Sequence, residues 1–247
     1  MLIDTHCHIH EADYPLNVDE TIMRAHTSGV QKMICVGTSE ESSKRAVEFA
    51  QAHENIFAAI GVHPHDTKDG WDEIAGLTHK KPVAVGEVGL DYFYNHSPRE
   101  VQIKALEGQI DIALKHNLPI IFHVRDAFSD FWPILDNFHG IRGELHSFTD
   151  TKEHLDEALK RGFYIGVNGI STFTKDPEQK EMFASIPLDR LLLETDAPFL
   201  TPIPFRGKVN EPAFVRNVAE HQAMVRRLTL EQIATSTSAN ADALFAL

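Results

Sequence analysis

The chain begins MLIDTHCHIH, and its first chemically rich feature is the alternation of His6, His8 and His10 behind an apolar start. Alternate residues of an extended strand point to the same face. His6 and His8 therefore project together, with His10 beyond them if the strand continues. Each imidazole offers a neutral nitrogen near physiological pH, which makes the pair candidate metal ligands; the other reading is a surface strand with solvated histidines. Cys7, between them, faces the other way and reads as a packed thiol. Further residues of ligand type follow other apolar runs: Glu87 in VAVGEVGLD, His123 in IIFHVRD, His146 in GELHSFT and Asp196 in RLLLETDAP. Singly, each fits a loop or cap residue.

The elements that must position these residues alternate from end to end. Residues 32–37 (KMICVG) read as a buried strand, and TSEESSKRAVEFAQAH after it as a helix in which Thr38 and Glu41 fit a capping box. IFAAIGVHPH is strand-like, residues 71–77 are helical, and residues 83–88 form the next strand. SPREVQIKALEGQIDIALKHN reads as a long helix with a Ser97–Glu100 capping box, Pro98 in its first turn, and Ile103, Leu106 and Ile110 on its buried face. Strands are expected at 118–124 and 141–147, and in FYIGVNG and DRLLLETD. Between them lie helical DAFSDFWPILDNF and TKEHLDEALKRG, the latter ended by Gly162. VRNVAEHQAMVRR and LEQIATSTSANADALFAL close the chain as helices.

Eight strand candidates alternating with helices predict one α/β domain over residues 1–247, a (β/α)8 TIM barrel. The competing doubly wound open sheet lacks the Gly-rich fingerprint expected after its first strand. In a barrel the C-terminal strand ends share one rim. His6, His8, Glu87, His123, His146 and Asp196 would meet there, and their coincidence reads as a metal site. A catalytic zinc commonly takes three protein ligands; four histidines and two carboxylates exceed that and suggest two ions, since a carboxylate can bridge. Paired metals about 3.5–4 Å apart recur in enzymes that hydrolyse phosphate esters, where they generate a hydroxide near neutral pH.

Composition narrows the classes further. Among 247 residues, 36 acidic against 23 basic side chains give a formal charge of −13, so bulk charge disfavours nucleic acid and a phosphate-bearing substrate must be drawn by a local site. The only cysteines, Cys7 and Cys35, make no disulfide framework. No apolar run is long enough to span a bilayer and no signal-peptide pattern opens the chain, so a cytoplasmic location is expected.

The stretches DTHCHIH, GVHPH, GEVGLDY, FHVRDA, LLLETDAPFLTP and RGKVNEP, in this order between residues 4 and 212, resemble the TatD family of metal-dependent deoxyribonucleases and related hydrolases, within the wider amidohydrolase-like group of metal barrels. The resemblance implies that His6, His8 and Asp196 hold one ion, His123 and His146 the other, and that Glu87 bridges them. The cofactors expected are the two divalent cations that the ligand count asks for, zinc, manganese or nickel by the histidine-rich donors or magnesium by the phosphodiester chemistry. The resemblance places His63 and Arg125 near the scissile phosphate, although His63 equally reads as a loop cap and Arg125 as a structural ion-pair partner. Arg206 and Lys208 look like rim residues, and Glu194 either assists the site or pairs in the core. Many members read HCFSG where this chain reads HSFTD; Ser147 stands for the usual cysteine and Asp150 for the usual glycine, which bears on substrate fit and leaves the His146 ligand intact.

The implied activity is a phosphodiesterase acting on DNA, trimming ends as a 3′ exonuclease, with Asp196 holding or deprotonating the attacking water. The acidic surface predicts brief contact with a strand end and no stable nucleic-acid complex. The alternative is hydrolysis of a small ester, lactone, amide or phosphotriester. Several of those binuclear enzymes bridge their metals through a modified lysine where this chain has Glu87, which favours the phosphodiesterase. A non-catalytic metal-binding protein is the third class, and six intact ligands argue against it.

Overall fold

A computed structural model describes all residues, Met1–Leu247. In chain order its elements are β1 (Leu2–Cys7), α1 (Val18–Thr27), β2 (Val30–Val36), α2 (Glu40–Ala52), β3 (Ile56–Ile60), α3 (Ile74–Leu77) and β4 (Ala84–Asp91). There follow α4 (Arg99–His116), β5 (Ile120–Arg125), α5 (Phe128–Leu135), β6 (Gly143–Leu145), α6 (Lys152–Lys160) and β7 (Tyr164–Val167). Last come α7 (Ile170–Phe173), α8 (Pro177–Ser185), β8 (Leu191–Leu193), α9 (Val215–Arg226) and α10 (Leu230–Phe245). The eight strands form one sheet in sequence order, and Cys7 of β1 bridges Ala197 just past β8. This is the (β/α)8 barrel expected. No helix is long and apolar enough to cross a membrane.

The chain divides into two compact units, Met1–Cys35 with Ser147–Leu247, and Val36–His146. In the first, β7 pairs with β8 and β1 with β2, all parallel. Every residue of β1 is buried, because a strand covered on both faces has no solvent side and loses the usual polar alternation. Its core joins Leu2, Met33, Ile34, Ile165 and Leu191–Leu193 to Val215 and Val218 of α9 and Ile233 of α10. In the second unit β3, β4, β5 and β6 pair in parallel succession. Ile120, Ile121, Phe122, Leu106, Ile110 and Phe131 fill its interior, with Phe122 and Phe131 edge to face at 5.1 Å.

Local details depart from the expected ones. Helix α2 is capped by Ser39, whose side chain accepts from Ser42 N, and not by Thr38; Glu41 pairs instead with Arg45 one turn on. No side chain caps α4, because Ser97 turns away to donate to His65 O, leaving Pro98 as the N-cap residue. Ile103 is only half-buried; the buried face of α4 carries Gln102 and Gln109 beside Leu106 and Ile110. β3 stops at Ile60, so GVHPH is loop, and the helix expected over 71–77 shrinks to α3. β4 runs on to Asp91 and β5 to Arg125 because their ladder continues through Gly89↔His123 and Asp91↔Arg125. Gly162 ends α6 with φ +81°, as expected.

Candidate metal centre

In the first unit the closure of the sheet builds the site. Asp196 N donates to His6 O at 2.9 Å and His8 N to Ala197 O at 2.8 Å, so the end of β1 and the segment after β8 are laced together. Asp4 secures that segment from beneath: its carboxylate accepts from Thr195 N at 2.8 Å and from Thr195 Oγ1 at 2.6 Å. Asn210 secures it from the other side, donating to Thr195 O at 2.8 Å and to Phe199 O at 2.5 Å. Asp196 adopts φ +58°, a conformation that Asp tolerates better than most residues. It is therefore both the turn residue before Ala197–Pro198 and a side chain aimed at the histidines.

The outcome is a compact donor set. The Nε2 atoms of His6 and His8 lie 3.2 Å apart, with rings 4.9 Å between centroids and 75° between planes. Asp196 Oδ1 lies 3.3 Å from His8 Nε2 and 3.8 Å from His6 Nε2. His10 does not extend the row, because β1 ends at Cys7 and the chain turns; its Nε2 sits 3.4 Å from Glu11 Oε1. Cys7 is fully buried and its thiol reaches Ile34 O at 3.5 Å, the packed role expected of it.

In the second unit the centre of charge is Glu87, buried in the middle of β4. Its Oε1 lies 3.0 Å from His123 Nδ1, 3.6 Å from His63 Nε2 and 3.8 Å from His146 Nε2. His63 also caps its loop, since its Nδ1 accepts from His65 N at 3.2 Å. That bond fixes the proton of the neutral ring on Nε2, facing the carboxylate. Burial, reinforced by neighbouring His123, holds His63 well below the ordinary histidine range, so the ring is neutral.

Two groups of residues that the sequence reading missed hold this arrangement. Asp91 Oδ2 accepts from His123 Nε2 at 3.0 Å and His65 Nε2 at 2.9 Å, while Oδ1 accepts from Phe93 N and Tyr94 N, each at 3.0 Å. Burial alone would raise Asp91, yet the bond from His123 and the other donors hold it below the usual carboxylate range. His123 shifts the opposite way: burial opposes its charge, and Asp91 with Glu87 outweighs burial and raises it. The second group is the pair of buried glutamines on α4. Gln109 makes two bonds to the backbone of Val62, next to His63, and Gln102 makes two to the backbone of Asp91. Gly89, with φ +154°, admits His123 alongside, since a Cβ there would sit 1.8 Å from His123 O.

A faint signal existed for both carboxylates. Asp4 is two residues before His6, and Asp91 four after Glu87, each on the face set by a period of two. Of the other expected residues, Glu194 borders the first donor set, its carboxylate lying within 4.8 Å of a His6 ring nitrogen. Arg125 is exposed, its guanidinium over the rings of Phe93 and Tyr94 rather than in an ion pair. Arg206 donates to Thr201 O and lies over Phe173, and Lys208 Nζ lies over Phe205. Glu194 is buried and accepts from Ser147 N and Asn168 Nδ2, shaping the chain just after His146.

Both donor sets fit divalent cations. Imidazole nitrogens and carboxylate oxygens converge in each, Glu87 Oε1 lying 3.0 Å from His123 Nδ1 and 3.8 Å from His146 Nε2 in the second. Such acceptor-rich clusters are reconciled by a cation, and mixed nitrogen and oxygen donors suit first-row divalent metals.

Known proteins show the same chain plan. A protein described as uncharacterized metal-dependent hydrolase YabD of Bacillus subtilis is 42% identical over 252 residues, covering 99% of both chains. The 3′-5′ ssDNA/RNA exonuclease TatD of Citrobacter rodentium is 35% identical, covering 93% of this chain and 92% of its own. The crystal structure of YjjV, a TatD homolog from Escherichia coli K12, superposes with a TM-score of 0.91 at 31% identity, covering 100% of this chain and 98% of that one. The family model for TatD related DNase matches residues 3–246. With a barrel of this form, imidazole and carboxylate clusters on its strands, and that match over nearly its whole length, the chain belongs to the TatD-related DNase family of metal-dependent hydrolases.

Proposed function

We propose that the protein is a divalent-metal-dependent deoxyribonuclease that removes nucleotides from a 3′ end. His6, His8 and Asp196 would hold one ion, His123 and His146 a second, and Glu87 would serve both. The observation that carries this reading is the convergence of His6 Nε2, His8 Nε2 and Asp196 Oδ1 within 3.8 Å, built by the β1–β8 closure. The grouping of His123 and His146 around the buried Glu87 carboxylate supports the second half. The Citrobacter relative, named for 3′-5′ exonuclease action on single-stranded DNA and RNA, supports the substrate class.

Bound divalent ions supply Lewis-acid charge at the phosphoryl oxygens and acidify water. The chain's own residues do the rest. Asp196 orients the attacking water and takes its proton, the task of a general base. His63 presents its Nε2–H to an anionic phosphate oxygen and, being neutral, does so without repelling the cations. Asp91 keeps the His123 proton on Nε2, leaving Nδ1 free to act as a ligand. Asp4 and Asn210 hold the 195–199 segment still, so Asp196 needs no reorganisation during the reaction.

The test is a screen of purified protein with magnesium, manganese, zinc and nickel against single- and double-stranded DNA, RNA and methyl p-nitrophenyl phosphate. The expected result is metal-dependent release of mononucleotides from 3′ ends. Absence of hydrolysis of every phosphodiester with every ion would overturn the reading.

A further inference from the structure

Two large aromatic side chains stand in solvent directly beyond β4. Phe93 is 54% exposed and Tyr94 51%. Neither contributes to the core, yet both are held firmly. Their backbone N–H groups donate to Asp91 Oδ1, the carboxylate whose other oxygen holds His123 and His65. Tyr92, just before them, donates through N to Arg125 O at 3.0 Å and through its hydroxyl to Asp130 at 2.6 Å. The Arg125 guanidinium lies 4.0 Å from the Phe93 ring centre and 4.9 Å from that of Tyr94. Tyr94 in turn lies parallel to His96, with 8° between planes. A cation backs one aromatic face, and the anchor of the loop is shared with a candidate metal ligand.

We propose that the exposed ring of Phe93, set edge to face against Tyr94, is a stacking shelf for an unpaired nucleobase, which selects single-stranded ends for the adjacent centre. The proposal rests on the nuclease reading above and deepens it. Its physical basis is the charge of the molecule. With 36 acidic and 23 basic residues, the protein gains little from neutralising phosphates along a strand. Base–aromatic stacking supplies affinity without opposite charge and accepts any base, because every base has a π-face. Arg125 beneath the rings adds a cation–π contribution. In a duplex the bases are already stacked on one another, so a shelf of this kind discriminates by strandedness and reads no sequence.

The experiment is a cycle between protein and substrate. Binding is read by fluorescence anisotropy of a labelled phosphorothioate single strand on the metal-loaded protein, and turnover as kcat and KM on the ordinary strand. Each strand is prepared intact and with abasic 3′-terminal positions. Phe93→Ala should weaken binding of the intact strand, and raise its KM, by about tenfold. It should leave affinity for the abasic strand at the parent's level, and Phe93→Trp should restore binding of the intact strand. Equal weakening on both strands, or none on the intact strand, overturns the shelf. Strand hydrolysis with a KM indifferent to Phe93→Ala leaves the nuclease standing and removes the shelf. Phe93-dependent binding of the intact strand without hydrolysis supports the shelf and removes the nuclease.

Discussion

Replacing Asp91 by Asn tests whether the metal centre depends on a carboxylate that is itself no ligand. Asp91 accepts four hydrogen bonds, two from the backbone of the following loop and two from the imidazoles of His65 and His123. An Asn side chain keeps one oxygen for the loop amides and turns an NH2 toward the imidazoles. His123 Nε2 then faces a donor at about 3.0 Å and must become an acceptor. Its proton moves to Nδ1, the atom 3.0 Å from Glu87 Oε1, and blocks the lone pair offered to a metal. Outer partners of metal-bound histidines are typically worth about 10–100-fold in affinity or activity. That range corresponds to roughly 1.4–2.8 kcal/mol. Competition with a chromophoric chelator measures the affinity, kcat/KM on a short DNA strand measures the activity, and circular dichroism checks the fold. Metal affinity and turnover both within about twofold of the parent would refute the role given to Asp91.

Three further outcomes follow from the same geometry. On the proposed assignment of Glu87 to both ions, Glu87→Gln should lower metal content from about two ions toward one or fewer and abolish turnover with the fold retained; elemental analysis with two ions still bound counts against it. Asp196→Asn should lower kcat by about 10²–10⁴-fold while KM for a DNA strand stays near the parent value, and a kcat within a few-fold removes Asp196 from the proton transfer. Asp4→Asn should change the pH dependence of stability. Burial raises Asp4 well above its ordinary value despite the Thr195 bonds, so its contribution is complete below the unfolded value and is lost as pH rises through the folded one. The variant should therefore gain on the parent as pH rises above the ordinary carboxylate range in urea unfolding, and parallel stability curves would contradict this.

The alternation of elements and the row of ligand types are legible in the order of residues alone. Apolar runs of strand length and helical periodicity are local properties, and a period of two fixes that His6 and His8 share a face. Parallel strands then bring such positions together, which is why the grouping of His123 and His146 with Glu87, and of His6 and His8 with Asp196, was legible in the chain. Helix ends were less so: Thr38 with Glu41 and Ser97 with Glu100 satisfy the cap pattern, but Ser39 and the His65 carbonyl competed for those hydrogen bonds and won.

What holds the donor atoms in place is set by contacts between segments that folding brings together. Asp4 on Thr195, Asp91 on His65 and His123, and Gln109 on the backbone of Val62 all join segments 26 or more residues apart. Arg125 looked like a phosphate contact or an ion-pair partner, and the fold laid it under two aromatic rings. A hydrogen bond or a cation–π contact between remote segments leaves no periodic trace. Its partner is chosen by the packing of helices on the sheet, so the residue type shows capacity and the three-dimensional neighbour decides its use.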